Sequence, residues 1–361
     1  MKPSSILATF SSRNLLFKYT RPTMSVVEKQ AHSTAINSFN LNHQDYDAFR
    51  PSFLKELVDP FLVQLGLGQY DSVTNKYKFD TTKTIVEIAA GTGKFTRNLV
   101  DNGFDNQNEI NPDNLIIVEP SQGMLTSFKK NFPQIQSKNV YQASSYKIPL
   151  DDNTADSIII AQGFHWFSDQ DSLKEISRVL KPHGTLGLIW NFDYQSNSQD
   201  TPIEKAKFFN GGSHYFNSID FSQYPHGTSA EVAFKDYFDK QPWSEKVCEL
   251  IYNYDLGVPQ YRHGKWRQSL SESESKHFHP IAQELFALYD KLIKKEDVYP
   301  YWETRSYITE LSDSEKKNVK DQINQIIKDS ITKESTPFTD KGDDRLLKPM
   351  ATHAVVVPVK K

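Results

Sequence analysis

The chain has 361 residues, a formal net charge of −3 and a single cysteine, Cys248. One cysteine excludes an internal disulfide and a thiolate metal cluster. The slight acidity argues against a nucleic-acid partner, and no apolar run reaches the ~20 residues of a membrane-spanning helix, so no membrane partner is expected. The length suffices for one large domain or two small ones.

Residues 1–24 stand apart in composition. They carry Lys2, Arg13, Lys18 and Arg21 and no acid before Glu28, with Ile6, Leu7, Phe10, Leu15, Leu16 and Phe17 able to form an apolar helical face. That pattern suits a mitochondrial presequence, a disordered extension, or an upstream start codon with Met24 as the real first residue. Residues 1–26 are therefore set aside from the fold, and the protein is expected in the cytoplasm, or in mitochondria if the presequence reading holds. Further on, Tyr46, Phe49 and Arg50 precede Pro51, which suits the first position of a helix running through Phe53, Leu54, Leu57 and Val58. Pro60 should kink that helix or start a second turn.

The rest of the chain is organised around the stretch Thr84–Thr96. Ile85, Val86 and Ile88 form a short apolar strand, Ala89 to Gly93 a turn of small residues, and Lys94 to Val100 a helix. Small residues let a ligand approach the backbone, and a helix start offers unpaired N–H groups. Three nucleotide readings compete. A phosphate loop needs G-x-x-x-x-G-K-[ST], but Ile88 stands at its first glycine and Phe95 at its Ser/Thr. A dinucleotide fingerprint needs G-x-G-x-x-G, and Ala89, Gly91 and Lys94 fill those places. An S-adenosylmethionine site needs an acid, a G-x-G-like turn and a second acid after the next strand. Glu87, the turn Ala89–Gly93 and Glu119 supply these, and Glu87 would repel a phosphate.

Leu115–Val118 reads as a second buried strand ending at Glu119-Pro120, where a carboxylate can accept bonds from ribose hydroxyls. Ser121 caps a helix through Met124, Leu125 and Phe128. A third strand starts at Val140 and leads to Ala143-Ser144-Ser145. Asp156–Ala161 is a fourth, ending in Gln162-Gly163-Phe164-His165-Trp166-Phe167, at the strand edge where open α/β sheets bind ligands. A helix over Ser168–Leu180 stops at Lys181-Pro182-His183-Gly184, and Thr185–Trp190 is a fifth strand. The alternation argues an α/β fold with a doubly wound parallel sheet.

Four segments carry a resemblance that spans about residues 40–191. They are Glu87–Thr96 (E-I-A-A-G-T-G-K-F-T), Ile116–Leu125 (I-I-V-E-P-S-Q-G-M-L), Ile148–Phe167 and Glu175–Asn191. The chain resembles a class I S-adenosylmethionine-dependent methyltransferase of the type 11 group. Tyr46–Phe53 (Y-D-A-F-R-P-S-F) resembles the N-terminal wrap of the subgroup that includes trans-aconitate and cantharidin methyltransferases. The resemblance implies a Rossmann-like, seven-stranded sheet closed by an antiparallel last strand, with residues 192–350 as insertion and cap on the substrate side and 351–361 as the last strand. It implies S-adenosylmethionine as cofactor and a small-molecule acceptor, with methylation of a carboxylate oxygen as the reaction that the subgroup suggests. Glu87, Ala89, Gly91 and Gly93 would flank the methionine part, Glu119 the ribose, Pro120 and Met124 the adenine, and Gln162 the sulfonium. Phe164, His165 and Trp166 would face the acceptor. Ser144 stands where an acid often meets the adenine amine.

Beyond residue 191 the chain is polar to Gln241, with Gly211-Gly212, and reads as an insertion. Pro242 opens a helix to Tyr252. Pro259–Arg267 (P-Q-Y-R-H-G-K-W-R) mixes cations and aromatics and is less specific to the family. Asp313–Lys328 is a charged helix with a solvated face, and Ala354–Pro358 the last strand. Methyl transfer from a sulfonium is an in-line displacement that calls for no metal. A hydroxyl or amine acceptor would need a base, for which His165 is the candidate. A carboxylate acceptor needs only a cation, and Arg50, Arg262, Arg267 and Arg305 offer one, with Tyr46 beside them. The readings in competition are a nicotinamide-dependent oxidoreductase, disfavoured by Glu87 and the missing glycines, and a binding protein without catalysis.

Overall fold

The computed structural model describes residues 29–33, 36, 43–100, 111–193, 207–210, 236, 238–255, 257–337 and 344–361. Residues 1–28 and most of the polar stretch 194–241 lie outside the described residues. In chain order the first elements are helices α1 (His43–Phe49) and α2 (Lys55–Gln64) and a hairpin, β1 (Gly68–Asp71) with β2 (Lys76–Phe79). Next comes the first α/β half: β3 (Ile85–Ile88), α3 (Thr96–Val100), β4 (Leu115–Val118), α4 (Gln122–Asn131) and β5 (Val140–Tyr141). The second comprises β6 (Ala155–Ala161), α5 (Gln170–Val179) and β7 (Leu180–Asp193), with a short strand β8 at Lys207–Asn210. The remainder holds α6 (Pro242–Tyr252), α7 (Lys265–Gln268), β9 (Gln283–Lys294), α8 (Val298–Glu303), α9 (Ser306–Thr309), α10 (Asp313–Ser330) and β10 (Arg345–Pro358).

The main sheet has the order β5-β4-β3-β6-β7-β10-β9-β8. Strands β5 through β7 pair in parallel, and β10 is antiparallel to both β7 and β9. The expected seven-stranded Rossmann-like sheet with an antiparallel closing strand is present, and β8 extends it by one strand, parallel to β9. All four residues of β3 are buried. The reason is that helices cover both faces of a central parallel strand, so the sequence runs apolar without alternation.

Local chemistry fixes the helix starts. Ser121 Oγ accepts the Met124 N–H at α4, and Asp169 accepts the N–H groups of Asp171 and Ser172 at α5, each satisfying donors that the first helical turn leaves open. Ser312 and Glu315 form a reciprocal capping box on α10.

Several boundaries differ from the sequence reading. Pro51 does not open a helix: it lies in the extended link between α1 and α2, and Pro60 sits inside α2. The helix after the glycine turn begins at Thr96, because the turn runs on to Phe95. The last strand starts at Arg345, and β9, which sequence alone did not disclose, lies within the stretch read as insertion and cap. Charged residues hide both. Asp290 and Lys348 sit within these strands and are nevertheless buried.

Two apolar cores result. One lies on the sheet and includes Phe61, Ile158, Leu188, Trp190 and Val355. The other lies between α6, α8 and α10 and includes Trp243, Trp302, Val319 and Ile323. No helix among the described residues is long and apolar enough to cross a membrane.

Candidate active site

At the carboxyl ends of β3, β4 and β6 lies a cavity, open to solvent, with about 730 Å³ of space not filled by protein atoms. Seven of the sequence-predicted cofactor residues line it: Ala89, Gly91, Glu119, Pro120, Met124, Ser144 and Gln162. The backbone turns sharply here. Ala89 (φ 56°), Gly91 (φ 60°) and Gln162 (φ 62°) all adopt the left-handed region. A side chain at Gly91 would face Met124 across the cavity at 3.9 Å, so glycine is what leaves that space open.

Glu119 sits at the tip of β4. Its Oε2 accepts the Gly91 N–H at 2.9 Å and its Oε1 the Ser121 N–H at 2.8 Å. Burial pushes its carboxyl up to about 7, against the pull of those two N–H bonds. A carboxylate so held is fixed in place and keeps lone pairs for the two hydroxyls of a ribose.

Glu87 and Gly93 do not line this cavity. Glu87 is fully buried beneath the turn, where its Oε2 accepts from Thr96 Oγ1 at 2.7 Å and its Oε1 has no partner. Burial pushes it up to about 8. Gly93 (φ 87°) serves packing, because a Cβ there would overlap the Phe132 ring. Conversely, His32 and Tyr146 line the cavity although no sequence motif marked them, and Ser145 and Phe167, which lie in the marked stretches, line it too. The segment carrying His32 is tied across the mouth: Lys29 Nζ pairs with Asp169 at 2.8 Å and Asp171 at 3.4 Å, and Asp169 also accepts from the Tyr146 hydroxyl at 2.8 Å.

A second chamber, of about 620 Å³, adjoins the first. Tyr46, Gln162 and Trp166 line both. The structure brings Arg50, Arg262 and Arg305 into it together with His165. Phe164 does not reach it: that ring is fully buried, edge-on to Phe167. Arg267 lies elsewhere, paired with Glu284. Asn191, Tyr252, Tyr261 and Thr304 complete walls that sequence did not predict.

The electrostatics of this chamber are lopsided. Among the described residues that line it there is no carboxylate. Arg262 pairs with Asp255, which also meets His263. Arg305 pairs with the buried Asp193, which is shared with Lys348 at 2.6 Å and accepts from the Tyr301 hydroxyl at 2.7 Å. Burial alone would raise the Asp193 carboxyl, but Lys348 and Arg305 together hold it well below the usual range. Among the described residues Arg50 donates to the Thr304 carbonyl at 3.2 Å and lies over the Tyr46 and Tyr301 rings, while its buried Nε has no hydrogen-bond partner. Burial, with Arg305 nearby, lowers its pKa, though guanidinium stays charged.

His165 is neutral. Burial, reinforced by Arg305 and His263, pushes its imidazole down to about 3. Trp190 Nε1–H donates to its Nδ1 at 3.3 Å, so the ring proton belongs on Nε2 and the basic lone pair is already occupied.

Helix α1 joins the two chambers. Asp47 accepts from Thr92 Oγ1 at 2.9 Å and its carbonyl from Lys94, both in the glycine turn, while Lys291 holds the Phe49 carbonyl at 2.5 Å on the acceptor side.

A parallel sheet with a glycine turn and a buried strand-tip acid defines an α/β protein with a nucleoside-type site at the carboxyl edge of its sheet, and a second chamber adjoins that site. Residues 86–188 match the family described as a methyltransferase domain. An uncharacterized methyltransferase-like protein of Schizosaccharomyces pombe is 26% identical over 300 residues, 82% of this chain and 89% of that protein. An uncharacterized methyltransferase of Mycobacterium bovis is 31% identical over 146 residues, 40% of this chain and 49% of that one. Among solved structures, a putative methyltransferase from Bacillus halodurans is 13% identical, covering 76% of this chain and 92% of its own, with a TM-score of 0.39. Residues 86–188 are thus a methyltransferase domain, and the enzyme uses S-adenosylmethionine as its cofactor.

Proposed function

We propose that the protein transfers the methyl group to a carboxylate oxygen of a small-molecule acceptor and releases a methyl ester. The observation that carries this reading is the acceptor chamber itself: three arginines, no lining carboxylate among the described residues, and a buried Arg50 Nε without a partner. A buried cation with an open donor is costly until an anion meets it. A carboxylate fits a guanidinium fork and stays ionised at neutral pH. The resemblance of Tyr46–Phe53 to the wrap of trans-aconitate and cantharidin methyltransferases agrees with an acidic acceptor.

The cofactor supplies an activated methyl on a sulfonium: a lone pair of the acceptor oxygen forms the new C–O bond while the C–S pair returns to sulfur. Glu119 fixes the ribose, and Ala89, Gly91, Pro120, Met124 and Ser144 shape the cofactor cavity. Tyr46, Gln162 and Trp166 form the passage between chambers, where aromatic faces favour a sulfonium cation. Gln162 is held by its Nε2 donating to the Asn191 carbonyl at 2.7 Å. No proton leaves a carboxylate acceptor, which accords with an imidazole at His165 whose lone pair is already used. His165 instead offers its Nε2–H as a donor. Arg50 and Arg305 take the acceptor charge, and the protein's part is alignment and exclusion of water.

The test is transfer of label from S-adenosylmethionine to a panel of small acids, alcohols and amines, with Gly91→Arg as the blocked control. Alkali-labile, volatile label on an acid, absent in the control, is the expected result. Label on alcohols or amines alone would overturn the ester reading.

A further inference from the structure

We infer that the acceptor is an aromatic carboxylic acid whose ring lies against Tyr261; this rests on the ester-forming reading above. Six side chains that line the acceptor chamber carry planar rings: Tyr46, His165, Trp166, Phe192, Tyr252 and Tyr261. Among the described residues lining it there is no aliphatic side chain. A flexible aliphatic body would find nothing of its own kind to pack on. A flat ring finds π faces and guanidinium planes, which favour offset and edge contacts.

Tyr261 is the fixed part of that wall. Its hydroxyl bonds Nδ1 of the fully buried His353 at 2.8 Å, and His353 Nε2 bonds Glu284 at 2.8 Å. Arg267 grips both oxygens of Glu284, at 3.0 and 2.6 Å. Burial alone would raise the Glu284 carboxyl, but His353 and Arg267 hold it low and ionised. An ionised carboxylate can only accept, so Nε2 carries the imidazole proton, Nδ1 accepts, and the Tyr261 hydroxyl donates. The phenol end therefore points into the protein, and what Tyr261 offers the chamber is ring.

Neighbouring rings fix the tilt of that face. Trp190 and Phe192 both lie 4.9 Å from Tyr261, and Trp266 backs it in a near-parallel stack at 6.0 Å. Phe192 makes 39° with Tyr261, so the two form a shallow trough rather than a flat floor. Arg50 and Arg305 border the same chamber, which places charge recognition and ring recognition on one small molecule. His353 is thus a positioning residue: it touches no acceptor, and it decides which part of Tyr261 does.

The matched probes are benzoate and cinnamate against cyclohexanecarboxylate and hexanoate, with benzyl alcohol and benzylamine as uncharged-oxygen and amine probes. Methyl transfer is followed with the full chain, and binding of the same acids is followed calorimetrically with the protein loaded with S-adenosylhomocysteine. The aromatic acids should exceed the saturated ones by about 10-fold or more in kcat/KM or in affinity, from two favourable ring contacts. Tyr261→Leu and Phe192→Leu should each bring the ratio towards one while calorimetric S-adenosylmethionine affinity, measured at a cavity neither residue lines, stays within about twofold. His353→Gln should raise KM for the aromatic acids more than it lowers kcat. Saturated acids accepted as well as or better than aromatic ones would overturn this inference and leave the ester reading intact. Transfer to benzyl alcohol or benzylamine with no acid methylated, or no acid either bound or methylated, would overturn both.

Discussion

The two chambers are built differently. The cofactor cavity takes its walls from short contiguous pieces at strand ends, Ala89–Gly91, Glu119–Ser121, Ser144–Tyr146 and Ala161–Gly163. The acceptor chamber gathers single residues from positions as far apart as Tyr46, Asn191, Tyr252 and Arg305. Their polarities are also opposite: a buried acid marks the first, and a surplus of guanidinium the second. The first cavity is thus built mainly at the sheet's edge, with Ala31, His32, Ile36 and Tyr46 lining it from the N-terminal side. Acceptor recognition is a property of how the distant half folds over that edge, and can change without disturbing it.

The contrast can be broken most forcefully at Arg50. Removing a buried, charge-assisted contact costs about 2–5 kcal/mol, so Arg50→Gln should lower kcat/KM for a carboxylate acceptor by about 100-fold, chiefly through KM. Calorimetric affinity for S-adenosylmethionine should change less than about threefold. A comparable loss on both sides would show that the chambers are not separable.

A smaller effect sharpens the cofactor side. The Glu119 carboxyl is raised to about 7 by burial, and only its ionised form accepts both ribose hydroxyls. Because the free protein's pKa is raised, protonation competes with binding as pH falls through 7, so the apparent S-adenosylmethionine affinity should weaken about tenfold per unit below that point. Glu119→Gln should bind weakly at every pH and flatten the profile. His165, already neutral with a pKa of about 3, should contribute no inflection between pH 5 and 8. An inflection that survives in Glu119→Gln would point to Glu87, which burial raises to about 8 beneath the same turn.

The smallest effect concerns backbone alone. Ala89 holds φ 56°, which disfavours a Cβ by about 1–2 kcal/mol, partly offset by glycine's greater freedom when unfolded. Ala89→Gly should therefore raise stability by about 0.5–1 kcal/mol in denaturant titration. A loss of stability would mean that the methyl group packs more favourably than the backbone conformation disfavours it.

Much of this architecture is legible in the sequence because it is local. Ile85–Gly93 states a strand and its turn within nine residues, and Leu115–Glu119 a strand and its acid. Where one residue serves another purpose, the pattern misleads. Glu87, in β3, and Gly93, in the turn that follows it, share one motif, yet Glu87 is buried beneath the turn and Gly93 makes room for Phe132. Phe164 shares a motif with His165 and Trp166 but turns into the core. The acceptor side was readable only as a set of scattered arginines. Asp193, Asp255 and Lys348, which decide how much of that charge is neutralised, come from three remote places. Strand β9 was concealed for the same reason: Asp290 and Lys291 interrupt an otherwise apolar run.

Strand β10 sits between β7 and β9, and β8 reaches the sheet only through β9. The five parallel strands are complete by residue 193, whereas everything on the far side hangs from residues 345–358. During synthesis the cofactor half can close early, but the sheet's other half has no seam to join until its last strand emerges. Contacts of such long sequence separation form slowly, and the unpaired edge of β7 is bare while it waits. His353, which holds Tyr261, and Lys348, which shares Asp193 with Arg305, lie on that last strand, so the walls of the second chamber gain their backing only when it arrives.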